Sequence, residues 1–150
     1  MELILWRHAE AEDGIPDASR RLTEKGMKQA QSMAQWLKPR LPKHSRIIVS
    51  PAKRTQQTAL ALSDVYETLE EVGISTTADK VLTVANWPYE EGAVLVVGHQ
   101  PTLGQIAALI LGNHYASFSV KKGSVWWFSS KSKDLSSSGN LRLVMVPDMI

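Results

Sequence analysis

Cysteine is absent from all 150 residues. A disulfide framework, a thiolate metal site and a thiol nucleophile are therefore excluded, and a cytoplasmic location is the default expectation. Long apolar runs are also missing. No stretch approaches the ~18 consecutive apolar residues of a membrane span, and no basic segment followed by an apolar run marks a signal peptide at the N-terminus, so no membrane association is expected. Strong charge of one sign is lacking as well: a net charge of +2 gives no footing for nucleic-acid binding. What remains is an ordinary globular composition, 43% hydrophobic and 21% charged. The length suits one domain with a full core, expected to span 1–150.

Apolar strands and amphipathic helices alternate along most of the chain. Leu3-Ile4-Leu5-Trp6 is a short buried strand that stops at Arg7-His8. Residues 9–22 form a polar loop containing Gly14 and Pro16. Thr23 is placed to cap a helix running to about Lys38, with Met27, Ala30, Met33, Ala34 and Leu37 on one face. Arg46-Ile47-Ile48-Val49 is a second strand, and Ser50-Pro51 reads as N-cap and first position of a helix extending to Glu71 or Val72. That helix would carry Thr58, Ala59, Leu62, Val65, Tyr66 and Leu69 on its core stripe, and Gly73 would stop it. A short strand is expected at Ile74 to Thr76 and a short helix from Asp79 to Asn86. Ala93 to Val97 is the strongest strand signal, followed by a helix from Thr102 to Leu111. Two late strands, Gly123 to Ser129 and Leu141 to Val146, flank a Ser/Lys-rich segment expected to be an exposed hairpin loop. The alternation predicts an α/β fold of three layers (α/β/α), with a mainly parallel sheet and an antiparallel edge.

Three strands end in the same manner: one in Arg7-His8, one in Ser50-Pro51 with Arg54 a turn further on, one in Gly98-His99. Right-handed crossovers bring the exits of parallel strands to one edge of the sheet, where helix N-termini add donors suited to an anion. Four of the seven arginines (Arg7, Arg20, Arg21, Arg54) lie in or beside these loops. Guanidinium forks match phosphoryl oxygens, so a phosphoryl group is the expected guest. Two imidazoles among arginines without a carboxylate partner make a poor divalent-metal site. They could simply hold phosphate, or one imidazole could attack phosphorus while the cations spread the charge of the equatorial oxygens. An attacking imidazole must be neutral, and adjacent guanidinium charge favours that form.

Arg7-His8-Ala9 resembles the Arg-His-Gly signature of the histidine phosphatase superfamily, whose fold is phosphoglycerate-mutase-like. The run from Ser50 through Arg54 to Ala59 is similar to that family's second motif, and Val97-Gly98-His99 to its third. Ser19-Arg20-Arg21-Leu22-Thr23 and the short chain point to SixA-type phosphohistidine phosphatases. The resemblance implies a metal-independent, cofactor-free phosphatase in which His8 becomes phosphorylated. Arg7, Arg54 and His99 would bind the phosphoryl oxygens with Arg20 as the fourth contributor, or Arg21 if it is the one turned inward. Its substrate would be phosphohistidine in a partner protein. A small phosphorylated molecule, handled by a phosphomonoesterase or mutase, is the alternative within the same chemistry, and a non-catalytic phosphate-binding module the alternative outside it.

Ala9 departs from the signature glycine, and would be strained if the position required positive φ. Only 44 residues separate Arg54 from His99, which leaves little room for the inserted cap that supplies a general acid in larger relatives. A phosphoramidate nitrogen can take its proton from solvent, which favours phosphohistidine. Should an acid exist, Glu10, Asp13 and Glu90 are the candidates by loop position. His44 and His114 read as surface residues, Lys121-Lys122 as a solvated turn, and Trp126 and Trp127 as pointing to opposite faces of a strand. Trp87 and Tyr89 either wall the pocket or pack in the core.

Overall fold

The computed structural model describes residues 1–133 and 139–150. Residues 134–138 of the Ser/Lys-rich segment lie outside the described residues. Six strands form one sheet: β1 (Glu2–Arg7), β2 (Arg46–Val49), β3 (Glu67–Thr68), β4 (Ala93–Gly98), β5 (Val125–Ser129) and β6 (Asn140–Met145), in the order β3-β2-β4-β1-β5-β6. The first four in that order run parallel, and β5 and β6 add an antiparallel edge. This is the mixed sheet that the strand-helix alternation predicts. β1 and β4 occupy its centre, and their continuous apolar runs follow from burial on both faces.

Alternate residues of the central strands feed two cores. Leu3, Leu5, Val94 and Val96 pack with α3 (Ala78–Val84) and α4 (Thr102–Ile110) through Val81, Leu103 and Ile106. Ile4, Trp6, Leu95 and Val97 pack with α1 (Glu24–Leu37) and α2 (Lys53–Leu60) through Met33, Leu37 and Ala59. The result is three layers. Trp126 packs against the first core while Trp127 sits in the second, so the adjacent indoles do face opposite ways. Trp87 belongs to the first core, and Tyr89 is exposed.

Thr23 caps α1 as its sequence position suggests, its hydroxyl accepting from the Gly26 amide at 2.9 Å. The start of this helix is bound to the loop that leaves β1. The Thr23 amide donates to the Glu10 carbonyl at 3.0 Å, and a Cβ at position 26 would lie 1.9 Å from that carbonyl oxygen. Only glycine permits this approach.

The second half of the expected long helix is not helical. α2 ends at Leu60, the chain turns at Ala61-Leu62, and the strand expected at Ile74 to Thr76 lies earlier, at Glu67–Thr68, followed by a 3-10 turn over Glu70–Val72. Two effects defeat the helical stripe. The Ser63 hydroxyl accepts the Val65 amide at 3.0 Å, a local bond that competes with helix continuation. Beyond it, a β-prone Val-Tyr-Glu-Thr run finds the free edge of β2, where the Arg46 guanidinium also bonds the Glu67 carboxylate at 2.7 Å. Nor does Ser50 cap α2: Ala52 holds the cap position, and the Ser50 side chain is engaged elsewhere.

Candidate active site

Strand register delivers the site. Arg7 pairs with Gly98 across β1 and β4, and Val49 pairs with Val97 across β2 and β4. The residues that follow, His8, His99 and Ser50, therefore leave the sheet side by side at one edge. Their histidine rings lie 5.4 Å apart, tilted by 54°. Arg54, in the first turn of α2, reaches the same place. His8, Arg54 and His99 are each about 5% exposed, so their chemistry is set by one another rather than by water.

The hydrogen bonds determine the His8 tautomer. Nδ1 lies 2.8 Å from the Ala9 carbonyl, which can only accept, so Nδ1 carries the proton. Nε2 keeps a lone pair, and toward it the Arg54 Nε–H donates at 3.3 Å. Ala9 is fully buried, and its amide donates to the Thr58 hydroxyl at 3.1 Å. It is not among the described non-glycine residues with positive φ, which are His44 and Asn86, so alanine replaces the signature glycine here without strain.

His99 is fixed by Ser50, whose hydroxyl lies 2.7 Å from Nε2. The same hydroxyl accepts the Ala52 amide at 3.3 Å. Donating its own proton to Nε2 gives both the hydroxyl and that ring nitrogen a partner and leaves the His99 proton on Nδ1. Among the described residues three buried side-chain atoms have no protein partner: His99 Nδ1, Arg7 Nε and Ser124 Oγ. Two of the three belong to side chains that line this edge. Arg7 is anchored by Nη1 to the Val120 carbonyl at 2.9 Å. Behind it, the turn before β5 grips the strand end: the Gly123 amide bonds the Arg7 and His8 carbonyls, and the Trp6 indole donates to the Gly123 carbonyl at 3.1 Å.

Burial and neighbouring charge act together on these groups. The His8 imidazole is pushed down to about 3, first by burial and then by His99, Arg54 and Arg7, against the opposing bond to Ala9. Burial, followed by Arg54, brings His99 down to about 4, with Asp17 opposing. Both rings are thus neutral well below the usual histidine range. An NMR titration of the imidazole Cε1–H signals should find His8 and His99 still neutral at about pH 5.5, a unit below the ordinary value near 6.5. Because the unfolded chain takes up those protons first, stability should fall as the pH drops from about 6.5 toward 4, read as a lower urea midpoint. A midpoint unchanged across that window would contradict the burial.

The remaining candidates divide by position. Arg20 is half-buried, its Nε donating to the Glu12 carbonyl at 2.7 Å and its Nη1 to Asp17 Oδ1 at 3.0 Å; Arg21 is exposed. The Glu10 carboxylate accepts the Thr23 hydroxyl at 2.8 Å, tying it to the start of α1. Asp13 is exposed in the loop, and the half-buried Glu90 accepts the Asn86 amide at 3.2 Å. His44 and His114 are exposed. A cleft of about 580 Å³ opens beside Ser50, bordered by Ala18, Pro51, Ile74, Thr76 and Lys80.

Three contributors went unread in the sequence: Asp17, which bonds both Arg54 and Arg20; Ser50 as the partner of His99; and Thr58 as the partner of Ala9. Asp17 carried one usable signal, its i,i+3 spacing from Arg20 in a short polar turn. The Ser50 and Thr58 bonds link segments 49 residues apart, and nothing local announces them.

Residues 3–76 match the model of the histidine phosphatase superfamily (branch 1). A phosphohistidine phosphatase SixA homolog of Haemophilus influenzae is 32% identical over 153 residues, covering 90% of this chain and 93% of its own. Phosphohistidine phosphatase SixA of Escherichia coli is 32% identical over 123 residues, covering 72% and 73%. A solved structure of the protein histidine phosphatase SixA complexed with tungstate superposes with a TM-score of 0.81 at 26% identity, covering 99% of both chains. Likeness along the whole length, joined to the three strand-end motifs, means that the chain belongs to the histidine phosphatase superfamily, as a SixA-type member.

Proposed function

We propose that this single domain, residues 1–150, is a phosphohistidine phosphatase that works through a phosphoryl group carried on His8, with phosphohistidine in a partner protein as its substrate. The observation that supports this most is the His8 ring itself: Nδ1–H is spent on the Ala9 carbonyl, and the Nε2 lone pair faces the Arg54 guanidinium. In the first step Nε2 attacks phosphorus, the Nε2–P bond forms, and the P–N bond to the substrate imidazole breaks. The departing nitrogen takes a proton from solvent, so none of Glu10, Asp13 or Glu90 is required as an acid. Arg7, Arg54, His99 Nδ1–H and Arg20 hold the oxygens whose charge grows as the bonds exchange. In the second step water attacks, a P–O bond forms, the Nε2–P electrons return to His8, and the water gives up one proton. Inorganic phosphate leaves.

A substrate panel tests the reading: a phosphohistidine peptide should be hydrolysed at least about a hundredfold more efficiently than 3-phosphoglycerate or p-nitrophenyl phosphate, with EDTA present throughout. Preference for phosphoglycerate would instead identify a phosphomonoesterase or mutase. Saturable phosphate binding with no turnover of any substrate would identify a binding module.

A further inference from the structure

We propose that Asp17 is an internal competitor of the phosphoryl group, a positioning residue that clasps Arg54 and Arg20 in the resting site and reclaims them when inorganic phosphate departs. This rests on the function proposed above. The carboxylate bridges both arginines, Oδ2 accepting from Arg54 Nη2 at 3.0 Å and Oδ1 from Arg20 Nη1 at 3.0 Å. The Asp17 backbone carbonyl accepts from Arg54 Nη1 at 2.8 Å. One residue therefore occupies the far end of the Arg54 guanidinium while its Nε–H faces His8 Nε2.

Three guanidinium groups around a buried site would hold a phosphate dianion tightly, and phosphate is the product. Affinity shared by ground state and transition state does not speed the chemistry, and affinity for product slows release. A carboxylate already bonded to two of the three arginines lowers that affinity, because phosphate must displace it. Asp17 is placed to yield: its side chain is half exposed, in a 3-10 turn (Asp17–Ser19) with no buried residue, so it can turn to water at little cost. Hydrogen bonds from Arg20 and Arg54 hold its carboxyl below the usual carboxylate range, keeping it anionic at neutral pH.

Asp17→Asn removes the charge and keeps the shape, an oxygen acceptor and the backbone contact to Arg54. Isothermal titration of inorganic phosphate into the wild-type chain and D17N, alongside steady-state kinetics, separates the roles. The proposal expects phosphate to bind D17N about tenfold more tightly, and kcat to fall while kcat/KM changes by less than about threefold. Equal or weaker phosphate affinity in folded D17N overturns it, as does a parallel loss of affinity and activity, the mark of a purely structural residue. Should D17N fail to fold, Asp17→Ser gives the same comparison. A wild-type chain that binds no phosphate would overturn the function reading itself, and this proposal with it.

Discussion

His8→Ala is expected to eliminate turnover, by at least about 10⁴-fold, and to leave the fold standing. No other imidazole at this edge turns a lone pair toward Arg54: in the arrangement argued above, His99 spends Nε2 on the Ser50 hydroxyl and presents a proton at Nδ1. Nor is there a thiol to substitute, since the chain has no cysteine. Stability should suffer little, because the His8 ring bonds only the next carbonyl and Arg54, and Arg54 keeps both bonds to Asp17. Brief incubation with a radiolabelled phosphoramidate should leave acid-labile, base-stable label on the wild-type chain and none on the variant, while circular dichroism matches. Label retained by the alanine variant would remove His8 from the mechanism.

Arg54→Ala should lower kcat/KM by about 10³-fold, the scale seen when one preorganised donor to a developing oxyanion is lost. Three consequences follow from the same deletion. The donor nearest His8 Nε2 disappears; the His8 pKa rises, because Arg54 charge is among the causes that depress it; and Asp17 loses its buried partner. Arg54→Lys restores the charge but not the fork, since a point ammonium cannot meet His8 and both acceptors of Asp17 at once. It should recover no more than about a tenth of the loss on a logarithmic scale of rate. Near-native kinetics in the lysine variant would mean that charge alone suffices and that the geometry around Asp17 is incidental.

The residues that could be read from the sequence share one property: each closely follows a strong apolar run. Arg7, His8 and His99 follow β1 and β4, whose burial on both faces makes them plain as strands, and Arg54 stands one turn beyond β2. Their convergence follows from parallel register, a rule of topology that needs no side-chain detail. The readings that failed depend on competition between nearly equal local choices. Leu62, Val65, Tyr66 and Leu69 fit a helical stripe, yet the edge of β2 and the Ser63 hydroxyl tip that segment toward a strand. Ser50-Pro51 has the letters of a helix cap, but the serine hydroxyl serves a histidine 49 positions away. Asp17 lies in a loop whose short 3-10 turn has no hydrophobic period to reveal it.

The turn from Val120 to Ser124 reaches forward in consequence. Every motif residue precedes position 100, yet the carbonyl that steadies Arg7 and the amide that grips the end of β1 come from this late segment. Synthesis from the N-terminus therefore delivers all the reactive side chains before the piece that holds two of them at the correct angle. A nascent chain that has not yet reached this turn carries the whole chemical inventory without a working vice, so competence waits for residues 120–124 to be made.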